Sequence, residues 1–225
     1  MLKIRCSAIG KIMTNSRSKS EVLSKTCKSY LEELALEEVY GIRKEFSSRY
    51  TDKGNEVERE SIDLAQDVLD MGFMYKNTEF FENDFLTGTP DVNTDTCLLD
   101  VKSSYDASTF PFFAEEIPNK DYMYQLQGYM ALTGKRKSIL AYCLVNTPYD
   151  IVEDEIRRAH WKHHLIDESD ELRAEVEAKH VFDHIPMEKR IKTFDVRYDK
   201  DIVKAIYDRV KECRVYYDEI INQLK

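Results

Sequence analysis

Two aspartates and a lysine stand close together in PDVNTDTCLLDVK, the stretch from Pro90 to Lys102. In a strand spanning LLDVK, side chains alternate, so Asp100 and Lys102 project from one face and Leu99 and Val101 from the other. The aliphatic pair then belongs to a core, with an acid and an amine held at its edge. Charge is costly there unless it is paired or bound to a metal. Asp91 precedes Asp100 by nine residues, and a hairpin through Asn93 to Thr96 brings the two carboxylates to one point. Their repulsion is relieved by a divalent cation, and oxygen donors of this kind suit Mg²⁺, with Mn²⁺ as a substitute. The expected ligands are Asp91, Asp100 and the main-chain carbonyl of Val101.

Glu58 is the fourth candidate. Positions 58, 62, 65 and 69 share one helical face, which makes Glu58 the polar member of the stripe Glu58, Ile62, Ala65, Leu69. Metal contact, directly or through a water, would give a carboxylate a reason to be there. The chemistry open to such a set is in-line attack of water on a phosphodiester. The cation lowers the pKa of a bound water and screens developing charge. Lys102 orients or helps deprotonate that water and stabilises the transition state. Glu58 supports a ligand water or a second metal. Taken alone, Asp100 and Lys102 are equally compatible with a surface ion pair on an edge strand.

The elements that must hold these residues follow from patterning. SEVLSKTCKSYLEELALEEVY, Ser20 to Tyr40, has the three- and four-residue apolar steps of an amphipathic helix, with Gly41 as its stop. A second helix is expected from about Asp52 to Met71, with Gly72 just past its end. From Phe73 to Ser103 short aromatic and branched stretches alternate with polar turns, which predicts an antiparallel three-strand meander. Tyr122 to Thr133 reads as a helix closed by Gly134, and SILAYCLVN, Ser138 to Asn146, as a buried strand. Beyond Pro148 the expectation is a helix from about Asp150 to Ile166, a charged helix near Ser169 to Lys179, the strand KTFDVRY and a terminal helix from about Lys200 to Leu224. This order predicts one mixed α/β (α+β) domain over 1–225, a central mixed sheet flanked by helices. Its catalytic core would span about 51–146 and a charged helical part about 148–225, with a boundary near Thr147.

Composition narrows the function classes. A chain of 225 residues with 42% hydrophobic content builds a full core, and 7 Gly and 5 Pro argue against low complexity. No apolar run reaches the length of a membrane helix, and MLKIRCSAIGKIM is too charged for a secretory signal, so a cytoplasmic protein is expected. Five scattered cysteines without a CxxC pair predict reduced, buried thiols and no zinc or iron–sulfur site. The net charge of −9 opposes phosphate binding, yet basic groups occur at Lys11, Arg17, Lys19, Lys25 and Lys28, and at Lys135, Arg136 and Lys137. His160, His163 and His164 are expected to be solvated or packed, because no acid stands at matching ligand spacing. Trp161, Tyr216 and Tyr217 are expected in the core or a subunit interface. No glycine-rich phosphate loop occurs, which disfavours an ATPase.

A Pro-Asp followed by acid-x-Lys beside a hydrophobic strand resembles the signature of the PD-(D/E)XK nuclease superfamily. DKGNEVERE resembles the G-x-x-x-E motif of phage recombination exonucleases of the lambda exonuclease and YqaJ type, with Gly54 and Glu58 at the matching positions. YMYQLQGYMALTG resembles their Y-x-x-Q-x-Q helix, with Tyr122, Gln125 and Gln127 in place. The three blocks occur in the family's order over about Thr51 to Asn146, and more weakly RCSAIGKIM aligns Ser7 with a serine that binds a terminal phosphate. By that resemblance Gln125 contacts the catalytic centre, and Ser7, Tyr122 and Gln127 contact DNA. By patterning alone the alternative for Gln125 is a hydrogen-bonded core amide among Tyr122 and Tyr129. Two departures stand out: Asp100 replaces the commoner Glu, and the family's arginine before the serine would fall ahead of Met1, with Arg5 at a different spacing.

The resemblance implies a restriction-endonuclease-like fold and a Mg²⁺-dependent deoxyribonuclease. It would act 5′-to-3′ on double-stranded DNA ends in phage-type homologous recombination, in a bacterial or phage-infected cell. It also implies a homo-oligomeric ring and a single-strand annealing protein as partner. The alternatives are an endonuclease or repair nuclease on the same fold, and a non-catalytic DNA-binding or assembly protein.

Overall fold

The computed structural model describes residues 1–43, 48–165, 167 and 169–225. A short strand β1 (Ile4–Arg5) passes through a tight turn at Cys6–Ala8 into the single-turn helix α1 (Ile9–Ile12). Helix α2 (Lys25–Tyr40) begins five residues later than patterning alone suggests, because Ser24 Oγ accepts the Cys27 N–H and caps it there. It ends at Gly41, whose φ of 67° is the left-handed C-cap.

The single helix expected over Asp52–Met71 is two, α3 (Arg49–Glu56) and α4 (Glu58–Leu69), joined at Val57 with φ −99° and ψ 15°. Ser48 and Thr51 form a reciprocal capping box at the start of α3.

The expected three-strand meander is replaced by two hairpins in different sheets. Strands β2 (Phe81–Glu82) and β3 (Leu86–Gly88) pair antiparallel, and β1 joins β3 in parallel, giving a small sheet β1-β3-β2. Strands β4 (Val92–Asn93) and β5 (Leu98–Ser103) form the second hairpin. Pro90, which has no N–H to offer a ladder, separates them. The aromatic-rich segment 73–80 forms no strand. It is tied down instead by Asn77, whose backbone N–H donates to the Asp91 carbonyl and whose amide donates to the carbonyls of Glu79 and Pro90.

Helix α5 (Lys120–Thr133), ending at Gly134 with φ 75°, crosses over to β6 (Lys137–Cys143). Then come α6 (Tyr149–Lys162), α7 (Asp170–His180), β7 (Ile191–Arg197) and α8 (Lys200–Leu224). Ile166, the expected end of α6, lies outside the described residues, and the helix stops at Lys162.

The main sheet has the order β4-β5-β6-β7, with β5 and β6 parallel and the outer pairs antiparallel. One face carries Leu98 and Leu140 into a core shared with α1, α2, α5 and α8, including Ile12, Leu31, Leu126 and Ile206. The opposite face carries Leu99, Val101, Ile139 and Ala141 against Ile62 and Ala65 of α4. The sheet is therefore sandwiched between helices. The chain beyond Thr147 returns to it: β7 pairs along the whole of β6, and α8 packs on α2. The connection between these neighbouring strands is the α6–α7 helical hairpin, with its own cluster of Val152, Ile156 and Val176.

All five cysteines are buried and unbridged, as expected for reduced thiols. Tyr217 belongs to the core and donates to Glu38, but Trp161 is 80% exposed on α6, so a core role for it does not hold. No helix among the described residues is long and apolar enough to cross a membrane.

The N-terminal segment docks on α5 through glycines. A Cβ on Gly128 would stand 2.5 Å from Ile9 Cδ1 and 2.8 Å from Cys6 Sγ, both of fully buried residues. Gly128→Ala is expected to lower the unfolding free energy by about 1–3 kcal/mol, as overpacking does. Urea unfolding of the two proteins measures the difference, and an unchanged midpoint would show that the segment is not closely packed on α5.

Candidate active site

The alternation expected of LLDVK is present. Leu99 and Val101 enter the α4-side core, and Asp100 and Lys102 face α5. Asp100 is fully buried. Its Oδ2 pairs with Lys102 Nζ, and its Oδ1 accepts from Gln125 Nε2 at 3.2 Å. The same Gln125 nitrogen donates to the Tyr129 hydroxyl at 3.1 Å, so both amide hydrogens are engaged. Lys102 Nζ also stands 5.0 Å from the centre of the Tyr122 ring, a cation–π position. Three residues of one α5 face therefore meet two residues of one β5 face.

Asp91 reaches the same place from the β3–β4 connection. Its Oδ2 accepts the Val101 backbone N–H at 2.8 Å, across the hairpin that Asn93 to Thr96 turns. Burial, and then the charge of Asp100, push the Asp91 carboxyl up to about 7, against the pull of Lys102 and of the Val101 N–H. The charge of Glu58 adds a smaller part of that rise. Its own carboxylate is held by Lys76 Nζ at 2.6 Å. Burial alone would lower the Lys102 amine, but Asp100 and Asp91 outweigh it and raise it, so Lys102 remains an ammonium.

Among the described residues no three acidic, His or Cys side chains converge into a ready-made metal cage. What the site offers is two facing carboxylates and the Val101 main chain between them. That donor set fits Mg²⁺, which binds through one or two carboxylates and keeps several waters. Asp100 Oδ2 makes no hydrogen bond besides its ion pair, and Asp91 is driven toward its protonated form, so both gain from a cation.

The remaining sequence candidates divide. Tyr122 is at the centre, under Lys102. Ser7 is exposed, on the turn next to Cys6, which packs against Gly128 of α5. Gln127 corrects the expected DNA contact: it is almost fully buried, its Nε2 donates to the Arg197 carbonyl and its Oε1 accepts the Asp199 N–H. Both ends of that amide splice β7 to α8, on the face opposite Gln125. His160 is packed, as expected, with its ring nitrogens at the Ile156 carbonyl and the Ser169 N–H. Lys76 and Tyr129 were not assigned roles from sequence. Tyr129 lies one turn from Gln125, a spacing that could have marked it, whereas Lys76 lies in an irregular segment with no periodicity to mark it.

The two basic groups also differ. Lys11, Arg17 and Lys25 line a cleft of about 840 Å³ between α1 and α2, together with the hydroxyls of Thr14, Ser16 and Ser18. Lys135, Arg136 and Lys137 are engaged locally, by the Asp95 carbonyl, the Tyr198 ring and Asp195 respectively.

The crystal structure of a phage-related exonuclease from Haemophilus somnus 129PT superposes on the whole chain, with a TM-score of 0.81 and 30% identity over 100% of this chain and 97% of that one. The chain belongs to the phage-related exonucleases. An alkaline exonuclease from Laribacter hongkongensis, LHK-Exo, shares the fold at 15% identity and a TM-score of 0.67, over 99% of this chain and 91% of that one. The same protein in complex with dAMP gives a TM-score of 0.66 at 17% identity. No family model matches the sequence, and no curated protein is detectably similar to it. The exonuclease family accounts for the mixed α/β PD-(D/E)XK fold expected from the three motif blocks.

The raised Asp91 pKa sets a sign for pH dependence. With its folded value near 7 and an ordinary unfolded value near 3.8, the folded exonuclease binds the extra proton between these limits, and stability falls as pH rises through them. Thermal midpoints measured in EDTA from pH 4 to 7 should therefore drop more steeply for the wild type than for Asp91→Asn. Parallel curves would show that Asp91 is not the strained carboxylate.

Proposed function

We propose that this chain is a divalent-metal-dependent deoxyribonuclease, an exonuclease that degrades double-stranded DNA from its ends, 5′-to-3′, in phage-type homologous recombination. The observation that carries the reading is the set of half-buried Asp91 and Lys102 with buried Asp100 and Gln125, assembled from one hairpin and one helix face. Asp91, Asp100 and the Val101 carbonyl would hold Mg²⁺, for which Mn²⁺ would substitute. When bound, the ion activates a water and screens charge developing on the phosphate.

The protein's own groups supply the rest. Lys102, held as an ammonium by two carboxylates, stabilises the negative charge that builds on the phosphoryl oxygens. Gln125 fixes the Asp100 carboxylate through Oδ1 and is itself fixed by Tyr129, which preorganises the acid. Glu58, paired with Lys76, would orient a water at the edge of the site, a role supported by its charge being felt at Asp91. Water adds to phosphorus in line with the leaving 3′-oxygen, whose bond to phosphorus breaks as the new one forms. The water gives its proton to solvent and the 3′-oxygen takes one from solvent, because Lys102, already an ammonium, is no base. The solved complex of the Laribacter enzyme with dAMP supports a mononucleotide product here by analogy. The Lys11, Arg17 and Lys25 cleft, which Glu21 and Glu33 also line, would offer the DNA backbone cations and hydroxyl donors. By resemblance to the family we also propose a homo-oligomeric ring, an annealing protein as partner and action in the bacterial or phage-infected cytoplasm, with Ser7 and Tyr122 on the DNA side.

A linear duplex carrying a 5′-phosphate, the same duplex with a 5′-hydroxyl, and a closed circle separate the possibilities. With Mg²⁺ the linear phosphorylated duplex should be degraded and the circle left intact. EDTA should stop the reaction, and Asp100→Ala or Lys102→Ala should slow it by about 100-fold or more. Cleavage of the circle would identify an endonuclease, and no cleavage of any substrate would identify a non-catalytic protein.

A further inference from the structure

Lys53 is fully buried, and the chemistry above makes no use of it. It projects from α3, one residue before Gly54 and five before Glu58. Its Nζ donates to three carbonyl oxygens, those of Ser104 at 2.8 Å, Tyr105 at 2.9 Å and Val145 at 2.9 Å. The Phe182 ring lies 5.4 Å away. Ser104 and Tyr105 are the first two residues beyond β5, and Val145 follows the end of β6. One ammonium thus closes the ends of the two parallel strands at the centre of the main sheet.

Three acceptors match the three N–H groups of an ammonium, whereas a neutral amine has two donors and a lone pair facing oxygen. Burial pushes the amine down to about 7, and the three carbonyls, together with Asp106, favour the charged form. A surface lysine would not need so many partners.

A second tie lies on the other side of Glu58. Ser61 Oγ and Ser103 Oγ are 2.8 Å apart, and the Ser61 carbonyl accepts from Cys143 Sγ. Lys53 and Ser61 therefore bracket Glu58 in sequence, and their partners Ser103, Ser104 and Tyr105 come directly after Lys102. Tyr105 is fixed further, since its hydroxyl donates to Glu155, which also takes Arg49 of α3.

We propose that Lys53 is a positioning residue for the catalytic centre. It pins the α3–α4 unit, which carries Glu58, to the exit of β5, which carries Asp100 and Lys102, and so sets the spacing between the two parts. The inference rests on the nuclease reading of that centre. Ser61 and Ser103 supply the weaker partner tie, because neither hydroxyl carries charge.

The test compares wild type, Lys53→Met, which keeps the aliphatic stem, and Lys53→Gln, which keeps a short polar donor. Activity on linear duplex DNA is measured well below each melting temperature, beside amide hydrogen exchange. Both variants should keep the native far-ultraviolet spectrum. Lys53→Met should lose about 10- to 100-fold in kcat with KM for DNA within about twofold, because a shift of an ångström in a catalytic group has effects of that size. Lys53→Gln should lose less. Exchange should quicken at residues 103–105 and 57–61 and stay unchanged in α8. A lowered melting temperature with unchanged kcat overturns the proposal, as does failure of both variants to fold, which would make Lys53 a support of the whole fold. Should wild type itself show no nuclease activity, the exchange pattern still decides whether Lys53 couples the two segments.

Discussion

Moving a carboxylate from water into a protein interior costs several kcal/mol even after the surroundings relax, and Asp100 has been moved all the way, onto an inner strand of the main sheet. Much of the rest of the molecule answers to that burial. Lys102 must lie two residues on, because only that spacing returns to the same strand face. Gln125 must come from outside the sheet, since no strand neighbour can present an amide to Oδ1 from above. Helix α5 therefore has to lie over β5, and the crossover from β5 through α5 to the parallel strand β6 places it there. The aliphatic neighbours Leu99 and Val101 secure the other face of the strand, so the acid cannot turn outward without exposing two core residues.

Close docking of α5 imposes a second constraint, on the N-terminal segment. Gly88 lies under the Tyr129 ring, where a Cβ would stand 2.6 Å from Cε1, and Gly128 lies under Cys6 and Ile9. These glycines remove bulk where the small sheet and the N-terminal turn meet the helix. Tyr129 in turn takes one hydrogen of Gln125, which leaves the other for Asp100. Packing of small residues at the periphery is thus coupled, through a tyrosine and an amide, to the orientation of a buried acid. Helix α4 works from the opposite side of the sheet, where its apolar stripe of Ile62 and Ala65 packs on Leu99 and Val101 and its first residue, Glu58, pairs with Lys76.

Local patterns made a large part of this legible. Two-residue alternation placed Asp100 and Lys102 correctly, helical spacing put Tyr122, Gln125 and Tyr129 on one face, and the C-terminal helix has the ends its pattern implies. Pairing was less visible. The strand-like composition of 73–80 could not show that this segment would be held by Asn77 instead of a ladder, nor that the break at Pro90 would divide two sheets. Gln127 looked like Gln125 because both belong to one motif. Two residues turn a helix by about 200°, so adjacent motif glutamines serve opposite faces, one at the acid and one at the β7–α8 junction. Lys53 resembled any charged residue of a capped helix, because its three partners are backbone carbonyls, which no sequence pattern marks.

The net charge of −9 is reconciled with a polyanionic substrate by where charges lie. At physiological ionic strength exposed charges are screened beyond about 8 Å, so a phosphate responds to its near neighbours and little to the molecular sum. Lys137 adds little to any such field, since Asp195 pairs with it, whereas Lys135 and Arg136 keep their charge beside the Asp95 carbonyl and the Tyr198 ring. The cleft of Lys11, Arg17 and Lys25 has hydroxyls as well as cations in its walls, beside Glu21 and Glu33, and α1 on one side of it abuts Asp121 at the start of α5 through Gly10. Helix α5 then leads from that cleft wall to Tyr122 and Gln125 at the buried acid. The centre's own carboxylates contribute little to the surplus, since Asp100 pairs with Lys102, Glu58 pairs with Lys76 and Asp91 is driven toward its protonated form.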